Sequence, residues 1–479
     1  MTASTFTQHK TNGSNDVTVN KAKPSTIPTV RGNFLLGNLN EFRNDTLGLF
    51  TRVMHEHGDI AKVYYGPKPA YHITHPDYVK HVLVDNNRNY KRAESSSSVL
   101  RMLLGENIIS SEGDYWRRQR RIMQPVFHRK RIDGFSNIMI DNTAKMLDQW
   151  AQHPKNQPLD VDHEMMAVTL AIVGRALFGV DLTDDAGDFG EAMTANNKYF
   201  SYRLSNLFAP PLWVPTKRNR RFKQITERTA DLIPNMIAER RQDIATNGTA
   251  HETGRQYDLL DLLLEARYED TREGMSDAQL NSETQVMIGA GHETTSMTLS
   301  WTLYLLSQHP EIEAKLHAEI DAVLGDRLPT LDALDKLVYN KMVIQESMRK
   351  YPAAWAVSRE ALTPDTIGGY DIPAGVPVLV PIHAIHHNPA LWDNPDTFDP
   401  ERFAPDKAKT YNRFAYFPFG GGPRQCIGMG FAMMEAQLLL AMIVQRFRLR
   451  LVPKHPVEPW PLITLRMKYG LQMTLEVRR

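Results

Sequence analysis

The sequence has one cysteine, Cys426, in 479 residues. A lone thiol excludes any intramolecular disulfide and every zinc site that needs two or more cysteines. It leaves two roles open: an inert buried thiol, or a thiol used singly as nucleophile or metal ligand. An excess of one charge is also missing, since 56 basic side chains against 55 acidic ones leave a net charge of +1. General binders of nucleic acid or anionic membrane carry a pronounced basic surplus, so any basic patch here is local. Long apolar runs are absent as well. No stretch reaches the roughly 18 uncharged apolar residues of a membrane span, and the N-terminal MTASTFTQHKTNGSNDVTVNKAKPS lacks the apolar core of a signal peptide. The expectation is a cytoplasmic protein with no membrane anchor.

A hydrophobic content of 42% over this length supports a large core. At roughly 150 residues per domain the length sets a ceiling of about three domains. Residues 1–24 are rich in Ser, Thr, Asn and Lys and are expected to form a disordered tail. Residues 59–75, DIAKVYYGPKPAYHITH, read as a hairpin around Gly66 and Pro67. From 76 to 350 the apolar spacing is mostly three and four, hence helical. Strand-like patterns return over about 355–385 and 460–477. With no internal repeat and no second composition regime, residues 25–479 read as a single large domain, mainly α with a smaller β-rich portion assembled from both ends. Residues 186–221 look polar and loop-like, which suits either a mobile cover or irregular packing of ordinary core aromatics.

Around the cysteine the chain reads FAYFPFGGGPRQCIGMGFAMMEAQLLLAM, a glycine-rich loop running into a long apolar helix. A thiol just before a helix N-terminus meets unpaired N–H groups and the positive end of the helix dipole, both favouring thiolate. Gly420, Gly421, Gly422 and Gly428 remove side chains beside it, so a large flat group can approach the backbone. Arg424 adds a positive charge two residues away. Phe419, Gly422, Arg424, Cys426 and Gly428 match in spacing and identity the FxxGxRxCxG signature, and the segment resembles the cytochrome P-450 family of haem-thiolate monooxygenases. The resemblance implies haem b with Cys426 as axial ligand, Arg424 on a haem propionate, and Phe419 packed near the thiolate side. Gly422 and Gly428 are further cofactor-binding candidates.

A second segment, SDAQLNSETQVMIGAGHETTSMTLSWTLYLLSQHP, carries its own helix signals: Ser276 and Gln279 form a capping box and Pro310 closes the run. Its second half is apolar nearly all round, which places it in the interior. Its middle nevertheless holds Gly289, Gly291, Glu293, Thr294 and Thr295, poor choices for a buried helix. A hydroxyl beside a carboxylate can hold water and relay protons; a glycine-relieved helix crossing with a capped carboxylate is the plainer reading. AGHETT is similar to the family's central-helix motif, which assigns oxygen activation to Glu293 and Thr294 and makes Ala290 a cofactor neighbour. His292 reads as a packing residue.

Glu346 and Arg349 stand at i, i+3 in VYNKMVIQESMRKYP. They resemble the family's ExxR pair, which joins the arginine of a PERF-like segment, here Arg402, in a structural lock. Trp116 and Arg120 in WRRQRRIMQPVFHRKR resemble the WxxxR helix that reaches a propionate, and Arg359 resembles a further propionate arginine. Arg117, Arg118, Arg121, Arg129 and Lys130 remain as a positive patch for an acidic electron donor. His383, His386 and His387 lack an acidic or thiol partner at zinc-ligand spacing.

The resemblance therefore implies a monooxygenase hydroxylating a small lipophilic substrate, such as a fatty acid or terpenoid, with O2. Too few residues follow Cys426 for a reductase domain, so electrons are expected from a ferredoxin or flavodoxin with its NAD(P)H reductase. No nucleic-acid partner is expected, and a monomer is. A peroxide-using or isomerising haem-thiolate enzyme and a non-catalytic haem sensor stand as alternatives. Apolar pocket candidates are Val99, Leu100, Met102, Leu103 and Leu104, with Met287 on the central helix.

Overall fold

The computed structural model describes residues 26–183, 186–206, 208–268 and 272–478, so the expected tail over 1–24 lies outside the described residues. The fold is built around a 32-residue helix, Asp277–Gln308. Ser276 Oγ accepts from the Gln279 amide at 3.3 Å while Gln279 Oε1 accepts from the Ser276 amide at 2.9 Å, which satisfies two free donors of the first turn. The next helix begins at Pro310, where a missing N–H costs nothing.

The most extensive partner of this central helix is Val161–Phe178. The two helices approach closely because Gly291 has no side chain: a Cβ there would lie 3.0 Å from Val173 Cγ2. Thr169 Oγ1 also donates to the His292 carbonyl at 3.1 Å. Helices Ser136–Gln152, Val338–Lys350 and Met429–Arg446 complete one continuous apolar core with them.

The β structure falls in two places, a five-stranded sheet with its own apolar cluster and a smaller sheet packed into the helical core. A five-stranded sheet runs in the order Ile60–Tyr65, Lys68–Ile73, Pro377–Val380, Val357–Ala361, Tyr90–Arg92. All its pairs are antiparallel except Lys68–Ile73 with Pro377–Val380. A second sheet pairs Gln472–Val477 with Phe447–Leu451 and Leu159–Asp160. No described helix is long and apolar enough to cross a membrane.

One expectation is corrected. Residues 186–221 are largely helical, with Ala186–Ser205 and Lys217–Glu227 as regular helices. Phe189, Ala192, Met193, Asn196 and Phe200 are buried at helical spacing. The face contains asparagines, and its pattern is overshadowed in sequence by Pro210, Pro211 and Pro215 of the linker.

Candidate active site

The cysteine loop is shaped by glycine. Gly420 and Gly422 have φ of 71° and 70°, and a Cβ on Gly422 would stand 1.8 Å from the Leu83 carbonyl oxygen. The Cys426 amide donates to the Phe419 carbonyl at 3.0 Å, closing the loop. Gly428 is the N-cap of Met429–Arg446, so the thiol sits at the mouth of an 18-residue helix. Burial pushes the Cys426 thiol up, more than the Gly428 amide and the Arg120 charge pull it down. The helix end alone thus does not yield the thiolate expected from the sequence; a metal ion, which displaces the thiol proton, would.

Cys426 is exposed, although protein crowds round its thiol, and Ala290 and Thr294 keep accessible surface in the middle of the largely buried central helix. Ala290 and Thr294 are one turn apart on one helix face. The helix following Cys426 packs on the central helix, so both openings belong to elements in contact. Thr294 Oγ1 donates to the Ala290 carbonyl at 2.9 Å.

Glu293 is turned elsewhere. Its Oε1 accepts from Asn197 Nδ2 at 2.5 Å and Thr464 Oγ1 at 2.7 Å, with Arg466 Nε at 3.6 Å. Only 2% of Glu293 is exposed. Its carboxylate is thus fixed by donors from the helix Ala186–Ser205 and from the C-terminal β structure. His292 is fully buried, donates from Nδ1 to the Ile288 carbonyl at 2.8 Å, and meets the Phe189 ring edge-on at 5.5 Å.

Positive charge gathers at one edge of the cysteine loop. Strand pairing sets Arg92 directly opposite Arg359, an unfavourable like-charge pair. Arg424 joins them, pairing with Glu112, donating from Nη2 to the Ser111 carbonyl at 2.9 Å, and stacking over Trp116 at 4.2 Å. Burial, and then the neighbouring guanidiniums, push all three arginines down to about 10. Arg92 Nε and Arg424 Nη1 are buried without a partner. Three guanidiniums against one carboxylate form a buried site short of negative charge, which suits the two propionates of haem. Arg120 supports the loop itself, donating from Nη1 to the Gln425 carbonyl at 2.9 Å. The arrangement fits haem, with Cys426 available to the iron.

Behind this region, Arg349 grips Glu346 through Nε to Oε2 at 2.7 Å and Nη2 to Oε1 at 2.8 Å. Arg402 Nε lies 3.4 Å from Glu346 Oε1. Arg349 also donates to the carbonyls of His386, Pro395 and Thr397. The three histidines are absorbed nearby: His386 Nε2 accepts from the Phe417 amide at 3.2 Å, and His383 stacks on His387 at 4.2 Å. Burial pushes His386 and His387 down to about 3, so they are neutral packing groups.

The helix Glu94–Leu104 packs on both the central helix and Ala186–Ser205. Leu100 is buried, Val99, Leu103 and Leu104 are half-buried, and Met102 is exposed, so these five do not share one face. Met287 is buried on the central helix. The sequence offered no local signal for Arg92, Glu112, Asn197, Thr464 or Arg466; each matters through a partner far along the chain.

The family model for cytochrome P450 matches residues 27–473. Cyclooctatin synthase of Streptomyces melanosporofaciens is 35% identical over 413 residues, covering 85% of this chain and 87% of that one. Cyclooctat-9-en-7-ol 5-monooxygenase of the same organism is 36% identical over 401 residues, covering 83% and 84%. The chloroplastic protein LUTEIN DEFICIENT 5 of Arabidopsis thaliana is 30% identical over 439 residues, covering 88% and 72%.

Proposed function

Because the chain belongs to the cytochrome P450 family of haem-thiolate monooxygenases, we propose that it hydroxylates a small lipophilic substrate with electrons from separate redox proteins. The overall change is RH + O2 + two electrons + two protons giving ROH + H2O. Bound haem supplies the O–O cleavage chemistry, which electron donation from a thiolate ligand favours. Cys426 would hold its iron, while Arg92, Arg359 and Arg424, with Trp116 and Arg120 beside them, would hold its propionates.

The observation that carries the reading is the accessible Thr294 hydroxyl, in a buried helix and next in sequence to the clamped Glu293. Thr294 Oγ1, its one proton given to the Ala290 carbonyl, can accept a hydrogen bond and so hold a water at the strip, and it relays a proton by releasing that bond. Glu293, held at Oε1 by Asn197 and Thr464 and turned from this strip, would feed the relay through intervening water and not by direct contact.

The finer reading is a fatty acid or terpenoid substrate. The names of two relatives, cyclooctatin synthase and cyclooctat-9-en-7-ol 5-monooxygenase, support a terpenoid-like hydrocarbon frame. Val99, Leu100, Leu103, Leu104 and Met287 would meet it with apolar surface. The helix Gly113–Met123 turns Arg120 to the cysteine loop and leaves Arg117, Arg118 and Arg121 exposed, so an acidic ferredoxin or flavodoxin docking there would stand on the thiolate side. The protein works as a cytoplasmic monomer, with residues 25–479 as its haem domain.

The test is a titration of the ferric enzyme with a library of lipophilic compounds, followed at the Soret band, and oxygen consumption with the hits. Substrate-dependent O2 uptake supports the reading. A haem protein that consumes no oxygen with any hit and any redox pair is a sensor instead. Thr294→Ala should lose coupled turnover with O2 but keep turnover with peroxide; a wild-type protein that turns over with peroxide and not with O2 is a peroxide-using enzyme.

A further inference from the structure

A cavity of about 220 Å³ lies between the helix Ala186–Ser205, the chain from Thr226 to Ile233, and the first half of the central helix. Its apolar wall includes Phe189, Met193 and Ile233, and its polar wall includes the carboxamides of Asn196, Asn281 and Gln285. Asn196 is 4% exposed and its Oδ1 has no hydrogen-bond partner. The amides of Asn281 and Gln285 likewise make no hydrogen bond to another described residue. Asn281 and Gln285 are partly exposed, but Asn196 is buried, and a buried amide oxygen is normally paired, so its unpaired Oδ1 on this space points to an occupant.

This cavity is separate from the accessible strip. Asn281, Gln285, Gly289 and His292 follow one another at helical spacing along one line of the central helix, whereas Ala290 and Thr294 lie about 100° and about 140° round from Gly289. Met193 and Phe189 cover Gly289 and His292 on the cavity's side, the Met193 Cε atom standing 2.8 Å from where a Gly289 Cβ would be. Asn197, the residue after Asn196, holds Glu293, so one helix turn serves both places.

We propose that the cavity binds a small neutral amide, cyclic or secondary, whose N–H and C=O engage the carboxamides while its hydrocarbon part lies on Phe189, Met193 and Ile233. No charged side chain lines the space, which disfavours an ion. The volume is below the roughly 300–1,000 Å³ of drug-sized sites, which sets the scale of the ligand.

The probe is ε-caprolactam, titrated calorimetrically into the ferric holoenzyme while the Soret band is recorded. Saturable binding is expected, with an unchanged Soret band. N-methylcaprolactam, which lacks the donor, should bind about tenfold more weakly, as should ε-caprolactam to Gln285→Leu and to Ala230→Trp at the cavity mouth. Both positions are partly or fully exposed, and an unaltered Soret band verifies each variant's fold. The proposal is overturned by an absence of saturable binding or by equal binding of the N-methyl compound. It is also overturned by affinity that survives both substitutions, or by a Soret shift that places the probe at the haem.

Discussion

The Glu346 carboxylate receives Arg349 side-on, through two hydrogen bonds of 2.7 and 2.8 Å, with both side chains fully excluded from solvent. The Asp399 amide adds a third donor at 3.0 Å, so this one carboxylate ties the helix Val338–Lys350 to the segment that carries Arg402. A buried pair of this kind is costly to break from one side, because the remaining charge stays in the core. Arg349→Lys cannot restore the planar fork and should lose about 3–5 kcal/mol of stability. The measurement is the urea midpoint of the holoenzyme; an unchanged midpoint would show that the pair is dispensable.

Arg92 offers a test of opposite signs. It stands across the strand pair from Arg359, with its Nε unpartnered. Arg92→Met should stabilise the haem-free protein, by on the order of 1 kcal/mol, by removing a buried like-charge contact. The same change should speed haem loss about tenfold, because a charge-assisted bond to a propionate is gone. Urea midpoints of the haem-free forms and haem transfer to an acceptor protein measure the two effects. Destabilisation of the haem-free form would contradict the assignment.

Glu283 sets a pH dependence. It is buried on the central helix, where its Oε2 accepts from the Ile108 amide at 3.0 Å while its Oε1 has no partner. Burial, reinforced by Glu106 and opposed by the Ile108 amide, pushes its carboxyl up to about 8. An acid raised on folding gives stability that is full below its unfolded value and is lost as pH rises through the folded one. Glu283 therefore favours folding less and less between about pH 5 and 8. Glu283→Gln keeps an acceptor for Ile108 and should raise the Tm more at pH 8.5 than at pH 5. Equal gains at the two pH values would contradict this.

The clamp on Glu293 predicts a change in coupling. Thr464→Val and Asn197→Leu each remove one donor from Glu293 Oε1 while leaving Thr294 untouched. Each should release more peroxide per O2 consumed, by roughly tenfold if proton delivery slows by that factor. Unchanged coupling in both would reassign Glu293 to a structural role.

The chemistry-bearing segments were legible in the sequence because each is local. The loop before Met429, the Glu293–Thr294 step and the Glu346–Arg349 pair are all set by spacings of a few residues, and the structure gives each a definite environment. Arg92 was not legible, since its meaning comes from the register that sets it against Arg359. Thr464, in the turn before the strand Leu465–Met467, and Arg466, within it, reach Glu293 from the far end of the chain, in a stretch whose pattern reads as ordinary β structure. The Ala186–Ser205 helix was hidden for a related reason: two of its inward positions are asparagines, one holding Glu293 and the other facing a cavity.

The central claim is that Cys426, the chain's one thiol, is the haem ligand, and the carbon monoxide difference spectrum of the reduced protein tests it most directly. The wild-type protein should show the thiolate band at about 450 nm, and Cys426→Ala should lose that band together with oxygen activation. A wild-type protein that takes up no haem, or a Cys426→Ala variant that keeps the band, would contradict the account.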